Sequence, residues 1–166
     1  MSDGEFKHDT QRESIYTKEL AELVCNQYVK FNFILPSHLV AFTAFKLMQK
    51  SNPGHDIFSL VQLPEEEIVF ELDIFLKVAE EIRSILFEMN QANLLIDPDL
   101  LHGEIKDIVN KGIETLGIFH IKRPLYIDSY NRLLSDDFIA LSFYSNKMIN
   151  LDLDGKINWH KLLPTN

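Results

Sequence analysis

One pair of residues has the spacing of a general base and the acid that orients it. His102 and Asp107 are separated by four residues. In such a pair the imidazole can take a proton from a substrate hydroxyl, while the carboxylate holds the ring in position. On a regular helix, however, the five-residue step turns through roughly 500° and leaves the two side chains about 140° apart. We therefore expect two solvated residues whose spacing matches by chance.

Residues 150–161 resemble a calcium-binding loop. Asn150, Asp152 and Asp154 supply oxygen atoms at positions 1, 3 and 5, and Gly155 stands at position 6. The twelfth position is Lys161, where the loop requires a bidentate glutamate. A cation there opposes a divalent ion, so we predict an acidic turn without a metal.

His120, Lys122 and Arg123 form the main basic cluster of an acidic chain, with two further lysines upstream. Two interpretations remain open for this segment. It could contact a phosphate or a carboxylate of a substrate or partner domain. It could equally be a surface patch that balances the surrounding acidic residues.

The composition restricts the classes of function. The chain has 166 residues, 46% of them apolar, and a formal net charge of −9. This apolar content excludes a disordered chain, and the negative charge disfavours a dedicated nucleic-acid binder. The single Cys25 excludes an internal disulfide. No phosphate-binding or dinucleotide-binding glycine motif is present, so no cofactor is predicted. The uncharged stretch 31–45 is shorter than the roughly 20 residues that span a bilayer.

Apolar spacing predicts the elements that position these residues. We expect a mainly α fold, a bundle of five to six helices with a small β element near residues 118–134. The domain is predicted to cover residues 14–150, after a flexible leader (1–13) and before a polar tail (151–166). The predicted helices begin near Ser14, Ser37, Pro64, Asp97 and Asp137. The second is apolar on most sides and is therefore expected at the centre of the bundle.

Several blocks, in order, resemble a known family. Residues 34–41 (ILPSHLVA), 63–67 (LPEEE) and 116–125 (LGIFHIKRPL) resemble the C-terminal region of the membrane-bound glycerol-3-phosphate acyltransferases, which are related to the dihydroxyacetone-phosphate acyltransferases. Residues 134–138 and 144–147 also fit this pattern. The resemblance covers roughly residues 20–150.

The resemblance implies a role in phospholipid biosynthesis. The family transfers an acyl group from acyl-CoA or acyl carrier protein to the 1-hydroxyl of glycerol 3-phosphate. Its catalytic His-x4-Asp block lies in the domain before this region, so His102 and Asp107 do not correspond to it. The resemblance thus implies a non-catalytic helical accessory domain that braces a catalytic acyltransferase domain at the cytoplasmic, inner face of the membrane. The alternative is a free-standing helical protein-interaction module without enzymatic activity.

Overall fold

Helices make up most of the chain, which confirms the predicted mainly α class. The structure is a computed structural model and describes residues 10–91 and 94–163. Its helices are α1 (Thr10–Lys30), α2 (Pro36–Ser51), α3 (Ile57–Val61), α4 (Leu72–Gln91), α5 (Pro98–Leu101), α6 (Ile105–Gly117), α7 (Phe138–Ile149) and α8 (Trp159–Leu162). Its strands are β1 (Phe33–Ile34), β2 (Val69–Phe70), β3 (Leu95–Ile96), β4 (Tyr126–Ile127) and β5 (Leu133–Leu134).

The strands form two small sheets. β1 and β3 pair in parallel, with Ile34 opposite Ile96. β5 is the middle strand of an antiparallel sheet, between β2 and β4. Two of these strands, β4 and β5, confirm the β element predicted near residues 118–134. Their partner β2 comes from a segment that the sequence assigned to a long helix.

The chain divides after Asn32 into two compact units, Met1–Asn32 and Phe33–Asn166. In the first unit, α1 begins at Thr10, four residues before the predicted start at Ser14. The rest of the predicted leader lies outside the described residues. The second unit begins with β1 because Pro36 disfavours helical backbone at the residue before it. The domain predicted over residues 14–150 includes residues of both units.

In the second unit, α2 lies at the centre, as its apolar composition predicts. Twelve of its residues are buried, from Pro36 to Met48, and α2 packs against α4, α6 and α7. The one buried threonine, Thr43, donates its hydroxyl hydrogen to the Leu39 carbonyl at 2.8 Å. The polar group is thus satisfied within the helix, which leaves the surface of α2 free for apolar packing.

Two predicted helices are interrupted. The helix expected from Pro64 becomes a short 3₁₀ turn and β2 before α4 begins at Leu72. The helix expected after Asp97 is split into α5 and α6, because Gly103 takes a φ of 109° that most residues avoid. The break moves His102 out of the helix that carries Asp107.

The C-terminal segment is not the polar tail that its composition suggested. Leu153 and Ile157 are buried in the core of the second unit. Likewise, the extended segment predicted over 118–127 is a strand only at Tyr126–Ile127. Residues 118–125 form a loop whose backbone has no strand partner, and Pro124 lacks the N–H that a ladder would need.

Gly112 permits the closest approach between α6 and α2. A Cβ atom at this position would stand 2.7 Å from the Pro36 carbonyl oxygen and 2.8 Å from Val40 Cγ1. Both distances are below normal van der Waals contact, and the carbonyl belongs to the backbone of the central helix. A larger residue would therefore push α6 away from α2.

We predict that Gly112→Ala lowers the free energy of unfolding by about 2 kcal/mol, because overpacking outweighs the helix propensity gained from alanine. The matched control is Gly117→Ala in the same helix, where an added Cβ has no neighbour within 4 Å. Urea unfolding followed by circular dichroism measures both. Equal stability of the two variants would contradict the proposed close contact.

Candidate functional site

His102 and Asp107 do not form a catalytic pair. His102 follows α5 as its C-cap and Asp107 lies in the first turn of α6. The helix break thus removes the rotational obstacle that the sequence suggested. Both side chains are nevertheless exposed, and neither has a hydrogen-bond or ion-pair partner among the described residues.

In the acidic loop at residues 150–161, the Asp154 carboxylate links the C-terminal segment to α2. Asp154 accepts a hydrogen bond from Lys46 Nζ at 3.2 Å and pairs with Lys50 Nζ at 3.5 Å. Lys46 contacts Oδ2, whereas Oδ1 is shared by Lys50 and by the indole N–H of Trp159, which donates to it at 3.1 Å. Asp152 stands at a positive φ of 48°. Each carboxylate oxygen of Asp154 is thus paired with a lysine ammonium group, and these positive charges disfavour a divalent ion at the same carboxylate.

The electrostatics of Asp154 follow from these pairs. Burial alone would raise the pKa of its carboxyl, but the charges and hydrogen bonds of Lys46 and Lys50 outweigh burial and hold the pKa below its usual value. Lys50 also lies over the Trp159 ring, 5.2 Å from the centroid. The segment that resembles a calcium loop, with Asn150, Asp152 and Asp154, therefore contains an ion-pair contact between the C-terminal segment and α2. In the part of the chain that the structure describes, no group of three His, Cys, Asp or Glu side chains is arranged to hold a metal ion.

The three residues of the basic segment, His120, Lys122 and Arg123, have different surroundings. His120 Nε2 is 3.0 Å from the Tyr144 hydroxyl, and the two rings meet edge to face. Arg123 donates from Nε to Asp136 Oδ2 at 3.1 Å, while its guanidinium lies 3.5 Å from the centroid of the Tyr126 ring. Lys122 is exposed. These contacts attach the loop to α7 and to the residues just before it.

Upstream, Lys111 forms an ion pair with Asp99 across the break between α5 and α6. That pair occupies one of the two lysines that the sequence grouped with the basic cluster. Arg123 is likewise neutralised by Asp136. The cluster therefore presents less positive charge to a ligand than its sequence suggests.

Five exposed large apolar side chains lie in the loop next to His120 or on α7, the helix that carries Tyr144. We call this group the α7 patch; its members are more than 60% exposed, and they are Ile118, Phe119, Ile121, Ile139 and Phe143. Ile139 and Phe143 are one helical turn apart on α7, and the Phe143 ring contacts Tyr144 at 5.6 Å between centroids. The other three members flank His120 in the loop. The hydrogen bond between His120 and Tyr144 brings the two groups to one surface.

Beside this patch lies a surface depression of about 310 Å³. Lys122, Asp136 and Asp137 contribute its polar rim, and Ile139 belongs both to the depression and to the α7 patch. The Asp137 carboxylate accepts the backbone N–H of Ala140 at 2.9 Å and so caps α7. Charged residues of both signs thus stand at the edge of an apolar surface.

Sequence reasoning identified the loop but missed the half of the patch that α7 provides. The sequence pattern places Phe138, Leu141, Tyr144 and Met148 on one side of this helix; Tyr144 is partly buried and the other three are buried. The spacing of four residues between Ile139 and Phe143 could have predicted this second apolar side of the helix.

His38 is the one buried histidine among the described residues. In the first turn of α2, its Nδ1 accepts the backbone N–H of Leu35 at 3.1 Å. From this bond we assign the ring proton of the neutral form to Nε2. Burial, reinforced by the charge of Lys147, lowers the pKa of His38 to about 4, against a smaller opposing effect of a backbone hydrogen bond with Phe33. His38 is therefore a neutral structural residue at pH 7.

Comparison with known proteins adds no identification. The chain matches no protein-family model, no curated protein and no solved structure. None of the described helices combines the length and the apolarity needed to cross a membrane. The function of this chain is therefore inferred from its exposed apolar residues and from its sequence resemblance to the acyltransferase family.

We predict that the folded state loses about 2 kcal/mol between pH 7 and pH 5 through His38. The pKa is lower in the folded than in the unfolded chain, so the unfolded chain binds a proton first as the pH falls from about 6.5. The stabilisation is complete above that pH and is lost towards pH 4. Urea unfolding at each pH measures the slope.

His38→Gln should flatten this dependence, because glutamine does not titrate and its side-chain oxygen can accept the same backbone N–H. The matched control is His102→Gln, which removes an exposed histidine. If both variants keep the wild-type slope, His38 is not the source of the pH dependence.

For the C-terminal junction, we predict that Asp154→Asn lowers the free energy of unfolding by about 1 kcal/mol, because two partly buried ion pairs are lost. Asp152→Asn is the control: it removes the same charge from a nearby exposed residue, and asparagine also tolerates positive φ. It should change stability by less than about 0.5 kcal/mol. Trp159 fluorescence during urea unfolding reports on both variants, and an equal loss would rule out a special role for Asp154.

Proposed function

We propose that this chain is the non-catalytic C-terminal accessory domain of a glycerol-3-phosphate acyltransferase, and that it braces the catalytic domain through the α7 patch. The single observation that supports this is the gathering of five exposed large apolar side chains at one place on the second unit. Contiguous apolar surface of this kind is typical of protein contact sites.

The composition of the patch suits a protein partner. Phe119 and Phe143 are 85% and 68% exposed, and aromatic side chains supply much of the binding energy at interfaces. The polar side chains of Lys122, Arg123 and Asp136 lie beside them, as in the hydrated rim of an interface. In the absence of a partner these apolar side chains would stay hydrated, at a cost that binding removes.

The family resemblance indicates which partner to test first. Two of the resembling blocks, residues 116–125 and 144–147, meet through the hydrogen bond between His120 and Tyr144. Residues 134–138 lead into the same helix. Three of the five resembling blocks thus lie in this loop or at α7, whereas residues 34–41 lie in β1 and α2. On this basis we choose the catalytic acyltransferase domain as the partner.

A peripheral position at the inner membrane face is part of the same proposal. The net charge of −9 disfavours direct contact of this domain with anionic lipid. The catalytic domain would therefore make the membrane contact, and the accessory domain would support it from the aqueous side. In this arrangement the chain needs no cofactor of its own.

The test combines this chain with a separately expressed acyltransferase catalytic domain from the same genome. We expect a complex by isothermal titration calorimetry, and a higher rate of acyl transfer from acyl thioester to glycerol 3-phosphate than the catalytic domain shows alone. The double variant Phe119→Ser, Phe143→Ser should weaken binding at least tenfold, since removal of two aromatic anchors costs more than about 1.4 kcal/mol.

The control is Phe87→Ser on α4, a half-exposed phenylalanine that lies in a different depression with Leu100 and Leu101. It should leave the affinity unchanged. Full-strength binding by the double variant would reject the α7 patch as the contact site. Failure of the wild-type chain to bind the catalytic domain would reject the accessory role and favour an interaction module with another partner.

A further inference from the structure

The N-terminal helix exposes an apolar stripe of its own. We call it the α1 stripe; its members recur at helical spacing, and they are Tyr16, Leu20, Leu23, Val24 and Tyr28 of α1 and Phe31, which follows the helix and donates its backbone N–H to Gln27 at 2.9 Å. Their exposed fractions range from 44% for Val24 to 76% for Tyr28. The sequence places these residues on one face of a helix, and their side chains are exposed in the first unit. An isolated helix with such a stripe is stabilised chiefly by packing against another element.

The shape of the stripe suits another helix. Leu23, Val24, Gln27, Tyr28 and Phe31 line an apolar groove of about 320 Å³ along α1. The spacing of these residues, i, i+1, i+4, i+5 and i+8, is that of the holes into which one helix receives side chains of its neighbour. The groove therefore fits a side chain of a second amphipathic helix.

The charges of α1 indicate what kind of helix that is. The helix contains three basic residues (Arg12, Lys18 and Lys30) and three acidic ones (Glu13, Glu19 and Glu22), so it is neutral in a chain of net charge −9. A helix that lies on an anionic membrane is instead rich in lysine and arginine on its polar side. A neutral helix with both signs of charge can approach an identical helix without net repulsion.

The stripe is also complementary to itself in an antiparallel pair. When two copies of α1 are aligned with Glu22 at the centre, Tyr16 of one copy comes opposite Tyr28 of the other, and Leu20 comes opposite Val24. Glu22 follows Tyr16 by six residues and lies on the side of the helix away from the stripe. The two central glutamates therefore point away from each other, towards solvent.

We propose that α1 is a dimerisation helix whose stripe binds the α1 stripe of a second copy of this chain. This role is independent of the proposed accessory function, because it uses the first unit and the α7 patch belongs to the second. A pair of single helices is at the small end of protein interfaces, so we expect a dissociation constant of about 1–100 µM. The fraction of dimer should therefore rise with protein concentration over this range.

Analytical ultracentrifugation of the full chain tests the proposal across this range. We expect a shift from the 19.3 kDa monomer to twice that mass. The double variant Leu20→Glu, Val24→Glu should remain monomeric up to the highest concentration, because it places charges at the centre of the contact. The control Ser14→Glu, Asn26→Glu adds the same two charges outside the stripe and should dimerise like the wild type.

The native cysteine provides a second readout. Cys25 is exposed on α1, is the only cysteine of the chain and is not a member of the stripe. A nitroxide at this position should show dipolar coupling between chains in the wild type and none in Leu20→Glu, Val24→Glu. Circular dichroism of the second unit's unfolding transition checks that this variant is folded.

Three results would overturn the proposal. One is a wild-type chain that stays monomeric at every concentration, as it would if the stripe were covered within one chain. Another is a dimer that survives in Leu20→Glu, Val24→Glu, because a different surface would then form it. The third is a monomer that binds anionic phospholipid vesicles through the stripe.

Discussion

The burial of α2 among α4, α6 and α7 is the constraint on which the second unit depends. A side chain such as Leu39 or Val40 contributes roughly 1.5–3 kcal/mol when it is fully buried, and α2 has such residues on every side. Its neighbours must therefore approach closely from several directions. Gly112 makes this possible for α6, and the C-terminal segment closes the structure through the contacts of Asp154 with Lys46 and Lys50.

Two groups of exposed apolar residues share a helix, or a helix and a neighbouring loop. In the second unit, α7 packs its inner side on α2 and carries Ile139 and Phe143 on its outer side. In the first unit, the side chains of the α1 stripe are exposed. Both surfaces consist of whole helical faces or a face joined to a loop, and both include aromatic side chains. Such continuity distinguishes them from the single exposed apolar residues that every protein has.

The candidate site residues show how a local pattern differs from a site. His102 and Asp107 match a spacing, but the turn at Gly103 leaves both side chains in solvent. Asp154 matches a metal-ligand position, yet it is paired with lysines that are more than 100 residues away in sequence. His120 gains a partner, Tyr144, that no local motif predicts. For Asp154 and His120 the outcome depends on a contact between distant segments.

The sequence by itself determined the helical class, the central position of α2 and the site of the small β element, because apolar periodicity and turn residues act locally. It also identified the loop around His120. Only the tertiary structure decided which apolar faces are covered: the stripe of α1 and the inner side of α7 have similar periodicity, yet one is exposed and the other is buried. The apolar periodicity of a helix shows that one side is apolar. Whether that side is buried depends on which other segment packs against it. That choice is made by packing around α2, which joins residues from Ile34 to Ile157 into one core.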